Sequence, residues 1–181
     1  MKKLLLIGLI PLFAACGGQK TEKIGEASTV FNVLGKNDRI EVHAFNDPHI
    51  QGVTCYLSYA KKGGLKETVN LEEDASDASV SCVQTATQVQ YNETQVSAPQ
   101  EVFKKGSSAI FKTLQVVRYY DPARKVFTYL AYSDKVIQGS PKNSMGAFSC
   151  YAGPALNPAA LTLAPNQQVF GACLVTTAAQ K

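Results

Sequence analysis

The sequence predicts a mainly β fold: a single antiparallel barrel- or sandwich-like domain with little helix, an α+β arrangement being the alternative. Three observations lead there. Runs rich in β-branched and aromatic residues are short, alternate apolar with polar, and are separated by Gly, Pro, Asn and Asp. The longest runs flank Asp121-Pro122-Ala123-Arg124 and carry apolar side chains on both faces; such a sheet needs cover on both sides. Once N-terminal targeting and tether residues, 1–23, are set aside, 158 residues remain, enough for one core and not obviously two.

The N-terminus comes first. Lys2 and Lys3 precede the apolar run Leu4 to Ala15, broken only by Gly8 and Pro11, which has secretory length and falls short of the about 20 residues a membrane helix needs. It ends at Ala14-Ala15-Cys16-Gly17-Gly18, which resembles the lipobox of bacterial lipoproteins, although Phe13 stands where that pattern usually has Leu. The resemblance implies a signal peptide over residues 1–15 and acyl chains on Cys16, two or three of which give the double anchoring signal a single chain lacks. An ordinary signal peptide cut near Ala15 is the alternative. Residues 16–23 read as a polar, glycine-rich tether. The expected location is the bacterial cell envelope, lipid-anchored and facing the periplasm. Gly17 in place of Asp points, by similarity to enterobacterial sorting rules, to the outer membrane. Cleavage removes Lys2 and Lys3, so the formal charge falls from +4 to +2. No basic stripe with interleaved aromatics suggests nucleic acid.

From Ile24 onward strand signals dominate. Val30 to Leu34 and Ile40 to Phe45 form a candidate hairpin around Gly35-Lys36-Asn37-Asp38, closed by Asn46-Asp47-Pro48. On the second of these, His43 alternates with Val42 and Ala44 and reads as a solvent-side residue. Val53 to Tyr59 is a further strand. The acidic stretch Glu72 to Ala78 is a short helix or loop, and Val80 to Val83 is strand-like. Residues 84–100, rich in Gln, Thr, Ser and Asn and interrupted by Pro99, read as an edge strand with loops. Residues 109–132 are the central hairpin, with Leu114, Val116, Arg118 and Tyr120 on one face and Val117 and Tyr119 on the other. Residues 145–181, with clustered prolines, read as an extension packing on the main domain and pinned by Cys150 and Cys173.

Five cysteines are present. With Cys16 consumed by lipid, Cys55, Cys82, Cys150 and Cys173 form an even set, which in an oxidising compartment suggests disulfides. Three pairings are possible, and the sequential one closes the shortest loops. Zinc is disfavoured because no C-x₂-C spacing occurs.

Several stretches together resemble the bacterial CreA proteins: Val30-Phe31, Glu41 to Pro48, Val53 to Tyr56, Ala60 to Gly64, Glu73 to Ala78, Val102 to Lys105, Phe111 to Asp121, Tyr129 to Lys135 and Gly139 to Asn143. Their order and spacing agree over about residues 24–144. The resemblance implies a Cys55–Cys82 bridge, leaving Cys150 for Cys173, and a β domain over 24–144 followed by an extension over 145–181. It brings no biochemical activity, because the family has none established.

The remaining constellations are weak. Ser58-Tyr59-Ala60-Lys61 fits the S-x-x-K of penicillin-recognising enzymes and Ser133-Asp134-Lys135 nearly imitates S-D-N, but K-T-G is replaced by Lys112-Thr113-Leu114. His43 and His49, with Asp47 between them, suggest an acid–base or metal pair without matching a known ligand spacing. Glu72, Glu73, Asp74 and Asp77 lack the placement of an EF-hand loop. Lys61-Lys62-Gly63-Gly64 and Lys104-Lys105-Gly106 are basic turns fit for phosphate or anionic headgroups, or simply for blunting sheet edges. Arg118 lies mid-strand, with Asp121 or Asp134 as expected partners, and reads equally as a structural ion pair or a ligand anchor. No metal or cofactor is expected. The function that follows is a non-enzymatic binding or accessory protein of the envelope, with its membrane contact through acyl groups on Cys16 and an unidentified periplasmic protein or ligand as partner. A periplasmic hydrolase and a structural envelope-stress factor without a small ligand are the alternatives.

Overall fold

The computed structural model describes residues 20–64, 77–106, 113–133 and 142–178. The expected signal segment, Cys16, Glu72, Glu73, Asp74, Lys112, Asp134 and Lys135 lie outside the described residues. The fold is mainly β, with three four-stranded sheets stacked sandwich-fashion. The first sheet runs β1 (Glu22–Val30), β2 (Asp38–Asn46), β4 (Val53–Lys61), β5 (Ala78–Gln84), antiparallel throughout. The second runs β10 (Asn143–Ser149), β9 (Val126–Ser133), β8 (Thr113–Asp121), β7 (Gln100–Gly106). The third holds β11 (Gln167–Phe170), β12 (Cys173–Thr176), β6 (Val89–Asn92) and β3 (Ile50–Gln51). One short helix, α1 (Glu93–Val96), follows β6, its first turn capped by Asn92 accepting from Thr94 N.

The central hairpin is β8 and β9, joined at a turn that Asp121 stabilises by accepting from the backbone N–H groups of Ala123 and Arg124. Leu114, Val116, Arg118 and, from β9, Phe127, Tyr129 and Ala131 are buried on its inner face. The first two sheets meet at one margin where β5 lies against β10. A Cβ added at Gly146 of β10 would stand 2.5 Å from the Val80 carbonyl oxygen, so glycine permits that close approach. At the other margin Phe45 of β2 packs on Phe103 of β7, ring centroids 5.1 Å apart. The third sheet closes the end near the β8–β9 turn, where Tyr91 meets Phe127 edge-on.

Both disulfides take the sequential pairing: Cys55–Cys82 joins directly opposed residues of β4 and β5, and Cys150–Cys173 ties the end of β10 to β12.

Three expectations need correction. The first hairpin is built from β1 and β2, and residues 31–37 are its loop. Asparagine side chains win there: Asn32 donates to Lys36 O and Asp38 Oδ1, and Asn37 Oδ1 accepts from Asn32 N, giving the backbone local partners in place of a ladder. The segment 84–100 does not supply an edge strand, because β6 lies inside its sheet between β3 and β12, with Val89 and Tyr91 buried. Its parallel partner β12 is some eighty residues away, beyond the reach of local patterning. Third, His43 does not face solvent. On β2 the alternation is inverted: Arg39 and Glu41 are buried and His43 half-buried on the inner face, while Ile40, Val42 and Ala44 lie on the outer one. The boundary expected at 144/145 falls within β10, whose Phe148 is buried in the core with Cys150, Cys173 and Val175.

Candidate functional site

Two polar networks occupy the space between the first two sheets, one enclosed around a fully buried arginine and one more open to solvent. The enclosed one centres on Arg118, whose side chain is fully buried. It donates through Nη1 to both carboxylate oxygens of Asp47, at 2.8 and 3.0 Å, and through Nη2 to Gln100 Oε1 at 2.9 Å. Asp47 also accepts from the Tyr129 hydroxyl and from His49 N, and the His49 ring is hydrogen-bonded to Gln100. Burial, with the Asp47 charge next to it, pushes the Tyr129 hydroxyl pKa upward. The carboxylate expected from Asp121 or Asp134 is therefore supplied by Asp47, and Asp121 pairs with Arg124 at 2.8 Å. Both Asp47 oxygens thus converge on the one nitrogen Nη1 in charge-assisted hydrogen bonds, and the burial of the pair makes it a core element.

The open network lies at the other end of β2 and β4. Their inner faces present Arg39, Glu41, His43 and Tyr59, and Lys105 reaches across from β7 of the facing sheet. Lys105 Nζ donates to the Tyr59 hydroxyl at 2.7 Å and stands 4.2 Å from its ring centroid. That hydroxyl is 2.9 Å from His43 Nε2, which is 3.1 Å from Glu41 Oε2. A carboxylate only accepts, so Nε2 must carry a proton to satisfy Glu41. The His43 ring also stacks on Tyr59 at 5.2 Å. Glu41 Oε1 accepts from Arg39 Nε at 2.8 Å and Lys23 Nζ at 3.2 Å, while Lys23 also pairs with Glu26. Burial alone would raise the Glu41 carboxyl pKa, but hydrogen bonds from His43, Arg39 and Lys23 outweigh it and hold it at about 2. Lys61 adds its field to the same carboxylate. Among the described residues, the cations Lys23, Arg39, Lys61 and Lys105 and the carboxylates Glu26 and Glu41 thus meet at a seam between the sheets. The arrangement suits an anionic group approaching Lys105 and Tyr59, with the His43 ring beside it.

This cluster unites the two basic turns singled out in the sequence, through Lys61 and Lys105, and separates the two histidines, since His49 belongs to the Arg118 network. Tyr59 and Glu41 carried no sequence signal beyond their place on alternating strands. Ser58 points to the outer face of β4, where its hydroxyl meets Ser79 Oγ at 2.8 Å, so it lies on the opposite side of the sheet from both His43 and Lys61. Neither a Ser–His nor a Ser–Lys pair forms there. Ser133 is buried on β9, and Asp77 pairs with Lys142 at 2.6 Å.

A third group adjoins the Cys150–Cys173 bridge. Lys125, at φ 53°, donates to Glu93 at 2.7 Å, and Tyr120 donates to the same carboxylate at 3.0 Å. Tyr91 shares a hydrogen bond with Tyr120, and burial pushes the Tyr91 hydroxyl up to about 12. These are closed contacts that fix the third sheet to the central hairpin.

The family model described as "CreA protein" matches residues 24–153. Curated relatives named Protein CreA, from Escherichia coli strain K12 and from Escherichia coli O157:H7, are each 47% identical over 131 residues, covering 70% of this chain and 82% of theirs. No solved structure matches the chain. A family model spanning most of the chain, together with relatives of this identity and coverage, places the chain in the CreA family.

Proposed function

We propose that this CreA-family protein is a lipid-anchored component of the bacterial envelope, tethered through Cys16 and facing the periplasm, that acts by binding and not by catalysis. The observation that carries the reading is the cluster of Lys23, Arg39, Lys61 and Lys105 around Tyr59 and His43, whose convergence of cationic and hydroxyl donors at a solvent-reaching seam fits a carboxylate or phosphate group of a ligand or partner. The anchoring part is supported by Ala14-Ala15-Cys16 and the secretory run before it.

The binding part is tested by following the His43 ring resonances by NMR while phosphate or acetate is added. A saturable shift that disappears in Lys105→Met, with the fold intact by circular dichroism, is expected. No shift of His43 with either anion, or an equal shift in Lys105→Met, contradicts the site.

A further inference from the structure

The outer face of the first sheet is apolar along β1 and β2, where a solvent-facing strand pair would be polar. We infer that this face, with the loop after β1, lies against an anionic phospholipid bilayer. The face is built by the inverted alternation of β2. Ile40, Val42 and Ala44 point outward, next to Ala60, Ser58 and Tyr56 of β4 in register. Ala27 lies opposite Ile40, and Val30 stands at the end of β1. Between its two ends this surface carries no charged side chain.

The adjoining loop holds its apolar residues in water by construction. Phe31 is 78% exposed, Val33 87% and Leu34 63%. Its asparagines turn inward to satisfy the backbone, and Gly64 N donates to Lys36 O at 2.7 Å. Gly63 N donates to Asp38 Oδ1 at 2.9 Å. A Cβ on Gly35, at φ +85°, would stand 2.8 Å from backbone atoms of Gly64. The two loops are thus locked together, and the exposed side chains belong to a formed surface. Leaving three large side chains in water forgoes the free energy of burying them, which an apolar phase restores.

Two features select a bilayer as the occupant. The first is reach. Glu22 lies six positions after Cys16, a span of at most about 20 Å, so an acylated Cys16 holds the start of β1 near lipid. Nine-residue β1 then carries the loop about 30 Å further along the same flank, which lies on the bilayer when the strand runs parallel to it. The second is charge. Lys20, with Glu22, lines the groove beside Ile24, Ala44 and Tyr56 at one end of the face, and Lys62 lines the one beside Val33 and Leu34 at the other, with Asp38, whose carboxylate is turned to Asn32 and Gly63 N. Lysines rimming an apolar surface match anionic headgroups. The inference deepens the anchored reading but stands on the folded domain, so the two can fail separately.

The chain contains no tryptophan, which makes Phe31→Trp a sole fluorescent reporter. The mature chain carrying Phe31→Trp is prepared both with Cys16 as exported and with Cys16→Ser, and mixed with phosphatidylglycerol or phosphatidylcholine vesicles, some with brominated acyl chains. The indole at position 31 is expected to shift to the blue and be quenched by brominated lipid in both chains on phosphatidylglycerol vesicles, with weaker binding at high salt. Replacing Val33 and Leu34 with Ser should lower partitioning of the Cys16→Ser chain by about a hundredfold. An exported chain that stays with the vesicles while its indole remains unquenched overturns the docking face and leaves the anchor standing. Quenching in the Cys16→Ser chain alongside an unmodified Cys16 in the exported one overturns the anchor and supports the face. Concentration-dependent dimers that bury the indole without lipid would assign the surface to a second copy and also overturn the proposal.

Discussion

Replacing Arg118 with methionine tests whether the enclosed network is a structural element. The substitution roughly keeps the side chain's length and apolar character while deleting three donated hydrogen bonds, two to Asp47 and one to Gln100. Asp47 keeps only His49 N and the Tyr129 hydroxyl, and its charge stays buried. Removing one partner of such a pair costs about 3–5 kcal/mol, because the other is left uncompensated. For a domain of this size each kcal/mol moves the melting point by roughly 2–4 °C, so Arg118→Met should melt about 6–20 °C lower. Removing both charges in Arg118→Met with Asp47→Leu should recover most of that loss, since an apolar pair of similar volume is often neutral or better. Urea unfolding followed by circular dichroism measures both, the slope with denaturant serving to check that the unfolded state is unchanged. A single mutant as stable as the parent, or a double mutant no better than the single, would refute the reasoning.

Three further outcomes are expected. Reducing Cys55–Cys82 and Cys150–Cys173, which span 27 and 23 positions, should each lower stability by about 3–4 kcal/mol, measured by unfolding with and without reductant. Because Glu41 titrates near 2 in the fold, against an ordinary value of 4.5, its contribution is present above 4.5 and is lost as pH falls through 2; Glu41→Gln should flatten the melting temperature between those limits, and an unaltered profile would count against the hydrogen bonds assigned to it. Gly146→Ala should destabilise by about 1–3 kcal/mol, since the added methyl meets backbone at Val80 and no flexible side chain can yield; an unchanged melting point would show that β5 and β10 are not held that closely.

The central hairpin was legible because both of its signals are local: β-branched alternation over 113–121 and 126–133, and Asp121 with Pro122 at the turn. The pairing of β6 with β12 was not legible, because a parallel ladder between distant segments leaves no mark on either one. Arg118 stood out as a charge in a strand, yet its partner Asp47 sits in a loop 71 positions away. The inversion on β2 misled for a different reason. Alternation fixes that two faces differ, and the ordinary assumption that polar residues face water then assigns them, whereas here Arg39, Glu41 and His43 turn inward to meet Tyr59 and Lys105, and Ile40 faces out. Residues 31–34 read as strand because apolar content was weighed above the capacity of Asn32 and Asn37 to satisfy the backbone locally.

Mass spectrometry of the N-terminal tryptic peptide from the protein purified from its native cells addresses the anchored reading most directly. The account predicts a peptide beginning at Cys16 and ending at Lys20 that carries the mass of two or three acyl chains. A mature chain that starts elsewhere, or one whose Cys16 is a free thiol or a disulfide partner, would contradict it.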